Sequence, residues 1–234
     1  METQILEKQL VARHAARMVE PGMIVGLGSG STAAMAVQFL GDRVRNEGLR
    51  FQGVATSPAT LTLARQLNIQ VVEAWDGGKL DLTIDGADQV TRRGELIKGG
   101  GGALLHERIV AAAANRFIVI IDSSKLVDRL GSFPLPVEVF AFGWRNVLTP
   151  LQQLGFQPSR REFNQRPVVT EEGNFIIDCE FPASRQFESS LLNMQLREIP
   201  GIADHGLFLK LLHTLVIARQ GEVEEISFPR QNPC

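Results

Sequence analysis

The chain has 234 residues, 44% of them hydrophobic and 21% charged, with a formal net charge of -2. That suits a soluble chain of one large domain or two modest ones and gives no global attraction to nucleic acid or to an anionic membrane. Its two cysteines, Cys179 and Cys234, exclude a disulfide scaffold and lack metal-ligand spacing. The first residues lack the cationic start and apolar core of a signal peptide, and the longest apolar runs are too short to span a bilayer. A cytoplasmic location is expected.

In chain order, residues 4–19 read as an amphipathic helix that Pro21-Gly22 stops. A short strand at 23–25 runs into Gly-Leu-Gly-Ser-Gly-Ser-Thr, and a helix follows over 33–40. Strands are expected at 51–56, 69–75, 80–85 and 117–122, with helices at 59–67 and 103–114. This alternation implies an α/β fold: a largely parallel sheet with helices on both faces. Polar loops follow several strands, and in such sheets ligands bind beyond the carboxyl ends.

After about Arg129 the pattern changes. A proline-bracketed strand at 133–140 precedes a helix over 144–154 that contains Pro150, then two strands around a Glu-Gly-Asn turn within 168–180. Ser184 is expected to cap a helix over 185–199, and 215–228 reads as two strands around a Gln-Gly-Glu turn. The expected division is a parallel-sheet domain from 1–129 and 206–234, with a smaller α+β domain at 130–205.

Three motifs carry candidate chemistry. In the first, Gly26 to Thr32, the glycines Gly28 and Gly30 let backbone approach an anion, while Ser29, Ser31 and Thr32 offer hydroxyls at a helix start. It is neither a Walker A loop nor a dinucleotide fingerprint. The plain alternative is a tight turn with a Ser/Thr cap. The second, Ile-Asp-Gly-Ala-Asp, puts Asp85 and Asp88 at a strand end, where they either shuttle protons or simply form a turn. The four histidines show no ligand spacing, so no metal site is expected.

The third motif runs from Lys98 through Gly99, Gly100, Gly101 and Gly102 to Glu107. Four glycines in a row cost entropy and pack no side chain, which suits backbone lying close to a ligand. Lys98 can face a developing oxyanion. Glu107, one turn into a helix, can be a general base if desolvated, or can simply favour the helix N-terminus. Lys8, on the first helix, reads as a solvated lysine, and the Ser-Ser-Lys segment ending at Lys125 either supplies a further phosphate cation or is a plain polar loop. Cys179 reads as a buried thiol.

Taken together, Val-Gly-Leu-Gly-Ser-Gly-Ser-Thr-Ala, Thr-Ile-Asp-Gly-Ala-Asp, Lys-Gly-Gly-Gly-Gly-Ala-Leu-Leu-His-Glu-Arg-Ile, Asp-Ser-Ser-Lys with Phe-Pro-Leu-Pro-Val-Glu-Val, and Asp-His-Gly-Leu-Phe resemble the ribose-5-phosphate isomerase type A family, in family order across most of the chain. The resemblance implies interconversion of ribose 5-phosphate and ribulose 5-phosphate without metal or organic cofactor, on a Rossmann-like catalytic domain (1–129 and 206–234) with a smaller α+β domain, in a homodimer or homotetramer. By position it implies Glu107 as base, Asp85, Asp88 and Lys98 as the other active-site polar groups, and Ser31, Thr32, Lys8 and Lys125 at the phosphate end. The family's usual Gly-Thr-Gly-Ser-Thr stands here as Gly-Ser-Gly-Ser-Thr, which keeps a hydroxyl at Ser29. Two other readings stay open. A sugar-phosphate sensor would leave Glu107 and the aspartates idle. A coenzyme A transferase would use a glutamate nucleophile in a longer chain. Neither a nucleic-acid nor a membrane partner is expected.

Overall fold

Strands alternating with helices build a seven-stranded sheet in the computed structural model, which describes residues 2–73, 75–182 and 187–229. Backbone proximity divides the chain into two units: Met1–Ala87, His106–Leu126 and Lys210–Cys234, and then Asp88–Leu105 with Val127–Leu209.

In the first unit the strand order from one edge is Glu222–Ser227, Thr214–Arg219, Phe117–Asp122, Leu82–Asp85, Ile24–Leu27, Gln52–Ala55 and Gln70–Val71. Every neighbouring pair is parallel except the hairpin of the last two strands in sequence, so the sheet is largely parallel as expected. Phe117–Asp122 is buried along its whole length, as a central parallel strand covered on both faces should be. The chain starts this sheet at Ile24–Leu27, builds outward to one side, then returns to its other side with Leu82–Asp85. The order reverses between those two strands, and their carboxyl ends therefore form the switch point at which such sheets bind ligands.

The expected helices are present with shifted ends. The first covers Glu2–Ala16 and buries Val11, Ala12 and Ala15 in the core with Leu40, Ile118 and Val216. The second is longer than read, Gly30–Glu47: Ser29 in extended backbone starts it, and Gly48 at φ 70 ends it by donating its N–H to the Arg43 carbonyl. Pro58–Gln66 is capped by Ser57, whose hydroxyl accepts from Thr60 N at 3.2 Å. Leu104–Ala113 carries Glu107 in its first turn and packs Val110 against Val54 and Leu80.

The second unit holds an antiparallel sheet in the order Gln157–Arg160, Phe175–Glu180, Leu135–Val139 and Ile202–His205. Its core includes Val137, Val139, Ile177 and Cys179, packed with Val147, Leu151, Leu192 and Leu196. A smaller sheet pairs Leu96–Ile97 antiparallel with Gln89–Thr91 and with Leu207–Phe208.

Three expectations for this region need correction. Of the two strands read within 168–180, only Phe175–Glu180 forms; the other arm is a single bridge from Val169 to Phe175, because the strand's two sides pair with Gln157–Arg160 and Leu135–Val139. The segment 144–154 opens as a 3-10 turn, Trp144–Val147, before the α-helix Leu148–Gln153, which puts Pro150 where its missing N–H is not needed. The last helix is Ser189–Arg197, not 185–199. Its cap is Glu188, whose carboxylate accepts from Ser190 N at 3.0 Å and Leu191 N at 2.5 Å, while Ser184 lies outside the described residues. Those two N–H groups lower the Glu188 pKa, Leu191's more.

Candidate active site

The first unit brings together candidates from four segments at the switch point. Beyond Ile24–Leu27 the chain turns through Gly28, whose N–H donates to the Ile84 carbonyl at 2.9 Å. A Cβ at Gly28 would sit 2.6 Å from Asp85 Cα and closer still to its carboxylate, so only glycine fits there. That contact lets the Asp85 Oδ1 accept from Ser29 N at 3.1 Å and from Gly86 N at 2.7 Å. Asp85 is fully buried. The turn chemistry open to this residue is present, and it fixes the carboxylate against the first glycine loop.

Ser29 is the N-cap of its helix by position, yet its side chain makes no cap hydrogen bond. Its hydroxyl instead donates to Glu107 Oε1. Glu107 is 4% exposed. Desolvation of this degree strengthens every interaction its carboxylate makes and removes water that would compete for a proton. Thr60 Oγ1 donates to the Gly28 carbonyl at 2.9 Å, and Thr56 Oγ1 to the Leu27 carbonyl at 3.2 Å, so the helix Pro58–Gln66 and the turn that leads into it brace the loop.

Gly30, Ser31 and Thr32 form the first turn of the Gly30–Glu47 helix, with Ser31 exposed and Thr32 half-buried. Lys8 Nζ donates to Ser31 Oγ at 3.0 Å and lies 4.0 Å from Asp122 Oδ2. Lys8 is therefore tied to the loop rather than merely solvated. Lys125 ends the 3-10 turn Ser123–Lys125 and is half-buried. Glu7 holds the start of that turn, accepting from Ser123 N at 2.9 Å and Ser123 Oγ at 2.7 Å.

Asp88, Lys98, Gly99, Gly100 and Gly101 belong to the second unit. Asp88 N donates to the Ile97 carbonyl at 2.8 Å, which sets the aspartate beside the start of the glycine run. Gly100 N donates to Asp88 Oδ2 at 2.8 Å, and a Cβ on Gly100 would meet Asp88 Oδ1 at 2.6 Å. Gly99 at φ +102 and Gly102 at φ +81 need the left-handed region. Part of the run's composition thus serves its own turn and its contact with Asp88. Lys98 is 2% exposed, its N–H donates to the Gly206 carbonyl at 2.9 Å, and its ammonium lies 5.8 Å from the Phe208 ring centre. The Asp-His-Gly-Leu-Phe motif thereby supports Lys98.

Sequence reasoning did not find Glu7, Thr60 or Arg161. Arg161 Nη1 donates to the carbonyls of Gly99 at 2.9 Å and Gly100 at 3.0 Å. Cys179 is fully buried in a strand, as read, and burial pushes its thiol far above the usual range, with Asp178 adding to the effect. Among the described residues no group of three or more His, Cys, Asp or Glu is placed to hold a metal ion. No helix among them is long and apolar enough to cross a membrane.

Comparison with known proteins bears on the family. The family model described as ribose 5-phosphate isomerase A (phosphoriboisomerase A) matches residues 52–222. A ribose-5-phosphate isomerase A of Bacillus cereus is 47% identical over 219 residues, covering 94% of this chain and 99% of that protein. One from Sphingopyxis alaskensis is 45% identical over 227 residues, covering 96% and 97%. Among solved structures, ribose 5-phosphate isomerase A of Methanocaldococcus jannaschii superposes with a TM-score of 0.88 at 37% identity, covering 94% of this chain and 98% of that one. A D-ribose-5-phosphate isomerase in complex with phospho-erythronic acid gives 0.89 at 32% identity, covering 94% and 97%. The fold, the motif order and these matches agree over nearly the whole chain, which belongs to the ribose 5-phosphate isomerase A family.

Proposed function

We propose that this chain interconverts ribose 5-phosphate and ribulose 5-phosphate, with Glu107 as the general base. The observation that carries the assignment is the buried Glu107 carboxylate with the Ser29 hydroxyl on it, at the switch point of a chain of this family. An open-chain aldose has a weakly acidic hydrogen beside its carbonyl. Glu107 removes it from C2, leaving a cis-enediol, and returns it to C1. Asp85 or Asp88 assists ring opening and moves protons between the two oxygens. Lys98 supplies positive charge for the developing oxyanion, a role in which one donor contributes on the order of 3 kcal/mol.

The phosphate end is assigned to Ser31 and Thr32 at the helix start, with Gly28, Ser29 and Gly30 shaping the loop and Lys8 and Lys125 supplying charge. The Lys8 contact to Ser31 supports this half of the assignment. Held there, the phosphate positions the reacting carbons. The glycines Gly99, Gly100 and Gly101 supply backbone close to the substrate.

Resemblance to the family carries the reading of a homodimer or homotetramer, which sedimentation equilibrium measures. The unbridged, buried Cys179 supports a reducing, cytoplasmic location. A direct assay tests the activity: ribose 5-phosphate should be isomerised at the same rate with and without a chelator. No conversion would refute the activity, and chelator-sensitive conversion would refute the metal-free mechanism.

A further inference from the structure

Arg161 stands outside every sequence motif and outside the mechanism above, yet its guanidinium joins two parts of the second unit. On one side it donates to the carbonyls of Gly99 and Gly100, at 2.9 and 3.0 Å. On the other, Nε donates to Asp178 Oδ2 at 2.8 Å and Nη2 to Asp178 Oδ1 at 2.5 Å, a bidentate fork. Its backbone is fixed as well: Arg161 N donates to the Ile176 carbonyl at 2.8 Å, and its own carbonyl accepts from Val168 N at 3.0 Å. The side chain is 16% exposed.

The peptide joining Gly99 to Gly100 is consequently gripped at both ends. Arg161 holds its oxygen, and Asp88 Oδ2 accepts its N–H at 2.8 Å. A cation at the oxygen and a carboxylate at the N–H polarise one peptide in the same direction, so each bond strengthens the other. The second bond, to the Gly100 carbonyl, orients the next peptide too. A run of four glycines has no side chains to hold it, and these contacts supply the restraint its composition lacks.

We propose that Arg161 is a positioning residue for the isomerisation: by fixing the backbone of Gly99 to Gly101 it holds Asp88 and the loop N–H groups in their working geometry. The inference rests on the function proposed above and takes Asp88, with this loop, to act on the substrate. Arg161 itself touches no reacting atom. Lysine is a poor substitute, because a single ammonium cannot bond two carbonyls and both Asp178 oxygens in a planar fork.

Steady-state kinetics on the full-length wild type, Arg161→Met, Arg161→Lys and Asp178→Asn test this, with thermal unfolding of each and binding of phospho-erythronic acid as the probe. Arg161→Met should lose about 10²-fold in kcat while KM stays within about threefold, the mark of a group that shapes the transition state rather than substrate binding. Arg161→Lys and Asp178→Asn should fall between it and the wild type, and added guanidinium ion should restore part of the Arg161→Met rate. A kcat within about twofold of wild type in Arg161→Met overturns the proposal. So does a fall in rate that follows loss of folded protein and is relieved by neither lysine nor guanidinium. Should Arg161→Met not fold, Arg161→Lys decides: reduced kcat at unchanged KM supports positioning, and wild-type kcat overturns it. A wild type that does not isomerise ribose 5-phosphate refutes the function itself, whereas an active wild type with equally active Arg161 variants refutes only this inference.

Discussion

The Ser29 hydroxyl donates a hydrogen bond to Glu107 Oε1 across 78 positions of sequence. This bond connects the loop after the first strand to the first turn of the Leu104–Ala113 helix. It diverts a serine that could have capped its own helix into holding the carboxylate proposed as base.

Ser29→Ala should therefore lower kcat by about tenfold, the worth of one hydrogen bond to a charged group, and cost about 1–3 kcal/mol of stability, because the buried carboxylate loses a donor. Ser29→Thr keeps the hydroxyl and should keep most of the activity. Steady-state rates of the two variants measure the difference, and equal rates for alanine and threonine would remove Ser29 from the account.

Gly28→Ala tests the close approach of the loop to the next strand. The new Cβ would lie 2.6 Å from Asp85 Cα, backbone that cannot move aside without disturbing the central sheet. The cost should be about 1–3 kcal/mol or more, read as a lower urea midpoint with unchanged slope, together with lost activity. An unshifted midpoint would mean that the loop yields freely.

Cys179 should be inert in the native protein. Burial raises its pKa, so the thiol stays protonated where an exposed one ionises, at about 8.5. The sign for stability follows: above that pH only the unfolded chain releases this proton, so the contribution of Cys179 falls as pH rises. A thiol reagent at pH 8 should label Cys179 only on unfolding, as peptide mapping would show. Rapid labelling of Cys179 in the native state would contradict its burial.

Much of the first unit was legible because its strands are continuous apolar runs separated by glycine and proline punctuation. Phe117–Asp122 was read with its observed ends, and the closing hairpin of Thr214–Arg219 and Glu222–Ser227 was also evident. The second unit was harder. Leu96–Ile97, Gln89–Thr91 and Leu207–Phe208 are two or three residues long, too short to show a period, and Leu207–Phe208 reaches its partner Leu96–Ile97 from a distant part of the chain. The missed side chains share that cause. Nothing near Arg161 in sequence announces Gly99, which is 62 positions away, and Thr60 meets Gly28 only because the Pro58–Gln66 helix packs beside the first loop. Glycines and acidic residues mark a site locally, whereas the groups that brace it are set by tertiary contact.

The proposed role of Glu107 is tested most directly by Glu107→Gln, which keeps the shape of the side chain and an oxygen for Ser29 while removing the base. Turnover of ribose 5-phosphate should fall by about 10³-fold or more, and binding of phospho-erythronic acid, measured by calorimetry, should stay within about threefold of wild type. Near-normal turnover in this variant would contradict the assignment of Glu107 as the base.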